Sequence, residues 1–205
     1  MKKKLFLGLC VSILLIINSI GVFAAEETNP VNAKQTDITT TLTITDPDTG
    51  EVWEWDIPVE LYVKSNKFRA SDGNVVSTVM VNADIGEYLY QTLGYPSQVS
   101  TLNDDITLQA GLTYSFSGND VAIYSAFGST TPKGLYYAEN RKFNWRNPGS
   151  GGGGSYSPTS NSWSYPGDGV YGGYYSSLPP KAILDCKIRV SGMSSYRNVS
   201  VTCSL

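Results

Sequence analysis

The chain of 205 residues contains no histidine. Ser-His-Asp triads, Cys-His dyads and zinc sites with histidine ligands are therefore excluded, because each of them needs an imidazole. Serine is abundant, but no serine stands in a Gly-x-Ser-x-Gly or Ser-x-x-Lys motif, the contexts in which a serine nucleophile is activated. We therefore predict a protein that is not an enzyme, with no catalytic residue and no cofactor.

Charge is also scarce: charged residues make up 16% of the chain, against about a quarter in an average globular protein. The 15 lysines and arginines are scattered along the sequence and are outnumbered by 18 acids. Nucleic-acid binding usually needs a concentrated basic surface, so we predict no nucleic-acid partner. Twenty glycines and fourteen tyrosines are typical of a secreted, turn-rich β-protein.

Residues 1–24 have the pattern of a secretory signal peptide. Three lysines precede an apolar run over 5–20, and Val22 and Ala24 stand at the positions read for cleavage before Ala25. The run is nearly long enough to span a membrane, but no basic stop-transfer segment follows it. We predict cleavage, no stable membrane span afterwards, and a secreted, extracellular, bacterial protein. Cleavage would remove three lysines and Cys10, which leaves an acidic chain with two cysteines.

Residues 25–36 are polar and are predicted to be a disordered lead-in, followed by a single domain over 37–205. From Ile38 onward, apolar residues alternate with polar ones on either side of a turn at 46–50. One hairpin register satisfies every apolar position: Ile44 faces Trp53, Leu42 faces Trp55, and Ile38 faces Val59.

Further elements follow the same reading. A hairpin turn is predicted at 71–74, a short helix near 84–93 with Asp84 as its cap and Glu87 three residues on, and strands over 106–116, 121–127 and 135–145, the last with an irregularity. Short alternating strands separated by turns predict an all-β fold, a single antiparallel β-sandwich, immunoglobulin-like or jelly-roll-like, with seven to nine strands. The predicted core consists of Leu42, Ile44, Trp53, Trp55, Ile57, Val59, Leu61, Leu108, Leu112, Tyr114, Ile123, Leu184, Ile188, Val199 and Val201.

The two remaining cysteines stand on the last predicted hairpin. When Cys186 is placed opposite Cys203, Leu184 faces Leu205 and Ile188 faces Val201, so every pair matches in polarity. An exported chain oxidises, and a disulfide closing this loop would contribute about 3 kcal/mol. We therefore predict a Cys186–Cys203 disulfide; two free core thiols or a redox pair is the alternative.

Two acidic patterns have ordinary structural interpretations. Glu54 and Asp56 lie two residues apart on a strand, at a separation that glycosidases use, but alternating acids are typical of a solvated strand face. The sequence from Asp46 to Gly50 departs from a calcium loop at its fifth, sixth and twelfth positions. It is predicted to be a plain turn. We predict no metal site from these residues, and calcium binding by another loop stays open.

The segment 147–180 is rich in glycine, serine and tyrosine, and we predict that it is a flexible insertion within the domain. Aromatic rings on such a backbone can stack on sugars or bury against a partner. Alternatively, the rings fold back over the sheet or the loop is a mobile low-complexity segment. The candidate ligand-binding residues are Tyr156, Trp163, Tyr165, Tyr171, Tyr174 and Tyr175.

These features favour a secreted, non-catalytic binding or surface-associated protein, whose partner is an extracellular glycan, cell-wall material or a protein surface. A structural, self-associating matrix component is the second hypothesis, with assembly through the Tyr/Gly-rich segment. A secreted effector or toxin is the third, because a threonine-rich alternating strand could also line a membrane barrel.

Overall fold

The computed structural model describes residues 38–63, 73–93, 106–132, 134–192 and 194–205. The predicted signal peptide, 1–24, and lead-in, 25–36, lie outside these residues. The described part contains one helix, α1 (Gly86–Leu93). Its twelve strands are β1 (Thr39–Thr45), β2 (Val52–Asp56), β3 (Val59–Val63), β4 (Val76–Asp84), β5 (Thr107–Ser117), β6 (Asp120–Thr131), β7 (Tyr136–Asn147), β8 (Gly152–Tyr156), β9 (Ser162–Pro166), β10 (Gly172–Gly173), β11 (Lys181–Val190) and β12 (Tyr196–Ser204).

The strands form two antiparallel sheets that pack face to face, so the prediction of an all-β sandwich is confirmed. The first sheet has the order β2-β1-β12-β11-β7-β8. The second has the order β10-β6-β5-β4-β3, and β9 also pairs with β6. The expectation of seven to nine strands was too low, because segment 147–180 adds β8, β9 and β10.

The first hairpin follows the predicted register only in part. Ile44 pairs with Trp53 and Leu42 with Trp55, as expected. The predicted pairing of Ile38 with Val59 is wrong, because β2 ends at Asp56 and the chain then crosses to the second sheet, where Val59 pairs with Val81 of β4. Proline at position 58 interrupts the ladder between the two strands, as proline does wherever a donor is needed.

The predicted helix connects β4 to β5 of the second sheet. The amide of Gly86 lies 3.4 Å from Asp84 Oδ1, so Asp84 caps α1. A two-residue turn that includes Gly118, with φ of 62°, joins β5 to β6. The turn predicted at 71–74 lies partly outside the described residues. Among the residues that the structure describes, no helix is long and apolar enough to cross a membrane.

The core lies between the sheets and contains most of the predicted residues. Trp53, Trp55 and Val59 are half-buried and pack against it, and the side chain of Leu61 is outside the described set. The ring of Trp55 lies 4.8 Å from the ring of Tyr88 in α1, so the helix covers the β2 edge of the first sheet. The predicted core residues that are buried are Leu42, Ile44, Ile57, Leu108, Leu112, Tyr114, Ile123, Leu184, Ile188, Val199 and Val201.

Candidate functional site

The first half of segment 147–180 closes one open side of the sandwich. Strand β8 extends the first sheet beside β7, and β9 extends the second sheet beside β6. The rings of Tyr156 and Tyr165 are stacked, with centroids 3.6 Å apart and planes 5° apart. Trp163 contacts the buried Phe143 edge-on at 5.7 Å. We call Tyr156, Trp163, Tyr165 and Phe143 the edge cluster; its rings pack on one another and on the core.

The other three predicted ligand-binding aromatics lie in different surroundings. Tyr174 packs against Phe116 at 5.7 Å and donates its hydroxyl hydrogen bond to the Leu205 carbonyl at 2.9 Å. The hydroxyl of Tyr171 lies 2.9 Å from Ser115 Oγ and 3.1 Å from Asn74 Nδ2. Tyr175 is 59% exposed. The six predicted residues are therefore not brought together into one aromatic platform.

Close backbone approach explains part of the glycine content of this segment. A Cβ on Gly149 would overlap the backbone of Gly172 and Gly173, and a Cβ on Gly172 would overlap Gly149 and Ser150. A Cβ on Gly167 would overlap the Ile123 carbonyl of β6. Only glycine fits such contacts, so these glycines allow the segment to pack tightly onto the sandwich.

The predicted Cys186–Cys203 disulfide is wrong: both thiols are free and buried. Cys186 pairs with Val199, and Cys203 pairs with Ala182. The observed register is four residues away from the predicted one, which separates the two cysteines by about 13 Å along the strands, whereas a disulfide needs Cα atoms within about 7 Å. Burial raises the pKa of each thiol to about 12, so neither is a reactive thiolate at neutral pH.

The acidic patterns have the structural roles expected of them. Glu54 and Asp56 are exposed on β2. Asp46 Oδ1 accepts hydrogen bonds from the amides of Asp48 and Thr49 at 2.8 and 3.3 Å, and Oδ2 lies 3.1 Å from Arg197. These bonds and the arginine charge lower the pKa of Asp46. Among the described residues, no group of three cysteines or acids could hold a metal ion.

A polar concavity lies on the outer face of the first sheet, beside a bulge in β7. The register between β7 and β11 shifts between Asp185 and Lys187, and Asn140 takes a left-handed backbone with φ of 49°. This bulge is the irregularity predicted within 135–145. Arg141 turns away from the sheet and donates to the Ser160 carbonyl at 2.8 Å and to Asn161 Oδ1 at 3.0 Å, which fixes the wall of the cleft.

We call this feature the outer-face cleft; its volume is about 590 Å³, within the range of about 300–1,000 Å³ common for ligand sites. Its side chains come from β1, β7, β11, β12 and Ser157, which follows β8. The hydroxyl and amide groups are those of Thr43, Thr45, Asn140, Ser157, Asn198 and Ser200. The charged groups are those of Arg141, Lys142, Asp185 and Lys187.

Sequence reasoning did not find the outer-face cleft, because its residues come from β1, β7 and the β11–β12 hairpin, which are distant from one another in the chain. The partial signals were the threonines at every second position of β1 and the irregularity in β7. Thr43 pairs with Ser200, and Ser200 pairs with Asp185. These side chains become neighbours only once the order β1-β12-β11 is known.

Comparisons with protein-family models, with curated proteins and with solved structures find no match for this chain. The geometry of the outer-face cleft and the packing of the aromatic segment are therefore the basis for a functional hypothesis.

Proposed function

We propose that the protein is a secreted, non-catalytic bacterial binding protein, and that it recognises an extracellular glycan or cell-wall material through the outer-face cleft. The single observation that supports this best is the row of hydroxyl and amide side chains on a rigid sheet, open to solvent beside the β7 bulge. Sugar hydroxyls both donate and accept hydrogen bonds, as the hydroxyl of Ser200 and the amide of Asn198 do.

The position of these groups also favours binding. They stand on central strands whose inner face is packed. Along β12, Val199 and Val201 are buried, and the polar residues that alternate with them, Asn198 and Ser200, point to the outer face. Side chains held on such a scaffold lose little conformational entropy when a ligand binds. The edge cluster is less suited to this task, because its ring faces are already covered by neighbouring rings.

The test is retention on insoluble polysaccharides and purified cell wall. We expect the wild-type protein to be retained on one of these materials, and the Asn198→Ala/Ser200→Ala variant to bind it about thirtyfold more weakly, because each of the two lost hydrogen bonds costs about 1 kcal/mol. Ser164→Ala is the matched control, since Ser164 is exposed on β9 of the other sheet. Equal retention of the double variant and wild type would show that the cleft is not the site.

Self-association is a second candidate, favoured by three exposed apolar side chains close together in the chain. Val170 is 54%, Tyr175 59% and Leu178 44% exposed, and exposed apolar groups often mark contact surfaces. Size-exclusion chromatography at increasing concentration separates the two candidates. Assembly that is lost in Tyr175→Ser/Leu178→Ser favours the matrix hypothesis, and an elution volume that does not depend on concentration argues against it.

A further inference from the structure

Positive charge that is scattered in the sequence is gathered in the structure. In the described ranges, every lysine and arginine lies on the three adjacent strands β7, β11 and β12. The acids of the first hairpin, such as Glu54 and Asp56, stand at the opposite edge of the same sheet. One sheet therefore has an acidic edge and a cationic region, in a chain whose net charge is negative.

Most of these cations share the outer face. Along β11, Ala182, Leu184, Cys186 and Ile188 are buried, so the residues between them point outward. The register places Lys181 opposite Arg146, and Asp185 opposite Lys142. We call the resulting set the cationic face, and it consists of Lys142, Arg146, Lys181, Lys187 and Arg189.

The pair Lys181 and Arg146 is the part of this face that most needs a counter-ion. Two like charges directly opposite each other on neighbouring strands repel. Among the described residues neither has an ion-pair partner within 4 Å, whereas Arg189 is paired with Glu139 at 2.9 Å. Burial lowers the pKa of Lys181, and the charge of Arg146 lowers it further. An anion held between the two side chains would offset their repulsion.

The face is long and narrow. From Lys181 to Arg189 it spans nine residues of β11, about 26 Å, across two strands about 5 Å apart. Tyr196 supports its far end, with Lys187 Nζ 4.4 Å and Arg189 Cζ 5.1 Å from the ring centroid. Lys142 and Lys187 also line the outer-face cleft, so the cationic face and the cleft are continuous. This shape suits a linear polymer better than a globular partner.

We propose that the cationic face binds a linear polysaccharide whose sugars carry carboxylates, an inference that rests on the proposed glycan-binding function. The planar guanidinium of Arg146, which has no ion-pair partner within 4 Å among the described residues, matches a carboxylate. Asn144 and Thr202 stand between the cations on the same face and can hydrogen-bond sugar hydroxyls. Nucleic acid is disfavoured, because the ring of Tyr196 is already covered by Lys187 and Arg189 and is not free to stack on a base.

The test compares polygalacturonate with its fully methyl-esterified form, which keeps the sugar chain but removes the charge. We expect polygalacturonate to bind at low salt, and the ester to bind at least about tenfold more weakly, with binding to the acid weakened by added salt. Lys181→Gln/Arg146→Gln should reduce acid binding about tenfold without lowering the melting temperature, since it removes a repulsive pair. Lys181→Arg, which keeps the charge, should bind like wild type.

Each result is decisive. Equal binding of the acid and its ester would overturn the acidic-glycan inference and leave glycan recognition standing. Tighter binding of double-stranded DNA than of polygalacturonate would assign the face to nucleic acid instead. Failure to bind polygalacturonate, its ester and the polysaccharide panel would remove both this inference and the proposed function.

Discussion

In the first half of segment 147–180, strands β8 and β9 turn Tyr156, Trp163 and Tyr165 between the two sheets, whereas in the second half Tyr175 and Leu178 lie in solvent. Both halves are rich in glycine and tyrosine. The three rings of the first half are half-buried and pack against the core, and the second half adds exposed apolar surface around one packed ring, Tyr174. Composition alone treats the two as one flexible, ligand-binding loop.

Periodicity separates them better than composition does. The run from Ser162 to Pro166 alternates small or polar residues with aromatic ones, which is the period-two pattern of a strand with one buried face. The run from Gly167 to Tyr175 has no such alternation, and its β10 is only two residues long. A search for alternation within the segment could have placed Trp163 and Tyr165 in the core.

The largest effect is expected in the first half. Trp163→Ala should lower the free energy of unfolding by about 3 kcal/mol, because the indole fills space against Gly128 and Phe143 that alanine would leave empty. Urea denaturation followed by tryptophan fluorescence and circular dichroism measures this change. Ser162→Ala, on the exposed face of the same strand, should change it by less than about 0.5 kcal/mol. A loss below about 1 kcal/mol for Trp163→Ala would mean that the first half is not core.

The last hairpin shows how far the pattern of polarity can determine a structure. The faces of Leu184, Ile188, Val199 and Val201 are as predicted, but the strand register is not. A shift of four residues is even, so it keeps every apolar side chain inside and leaves the pattern of polarity unchanged. The predicted register placed Cys186 opposite Cys203. The observed register places Cys186 opposite Val199 and has Gly192 in the turn, with φ of 84°. Turn geometry therefore decides what side-chain polarity cannot.

The charges give the opposite lesson. Scattered basic residues predicted no concentrated positive surface, yet Arg146 and Lys181, 35 positions apart in the chain, are direct neighbours. Strand order is a long-range property, and a single sequence does not contain it in any local pattern. The fold class and the first hairpin were predictable because adjacent strands of a hairpin are also adjacent in sequence, as Leu42 and Trp55 are.

A smaller effect is expected where the second half contacts the core. Tyr174→Phe keeps the ring against Phe116 but removes the hydrogen bond to the Leu205 carbonyl. We expect the free energy of unfolding to fall by about 1 kcal/mol, the usual net value of a hydrogen bond, as measured by urea denaturation. Tyr175→Phe removes a hydroxyl from an exposed ring and serves as the control. Equal stability of both variants would show that the Tyr174 hydroxyl contributes nothing to folding.

The smallest effect is expected at Tyr175 itself. Its ring leans over Gly173, with the hydroxyl 3.0 Å from where a Cβ on that glycine would stand, and it still leaves 59% of its surface in solvent. Tyr175→Ser should therefore change the free energy of unfolding by no more than about 0.5 kcal/mol and leave polysaccharide retention unaltered, because the outer-face cleft lies on the other sheet. If Tyr175→Ser lowered the free energy of unfolding as much as Trp163→Ala does, the two halves of the segment would contribute equally to stability. Unchanged stability with weakened self-association would instead assign the exposed half to contacts between copies of the chain.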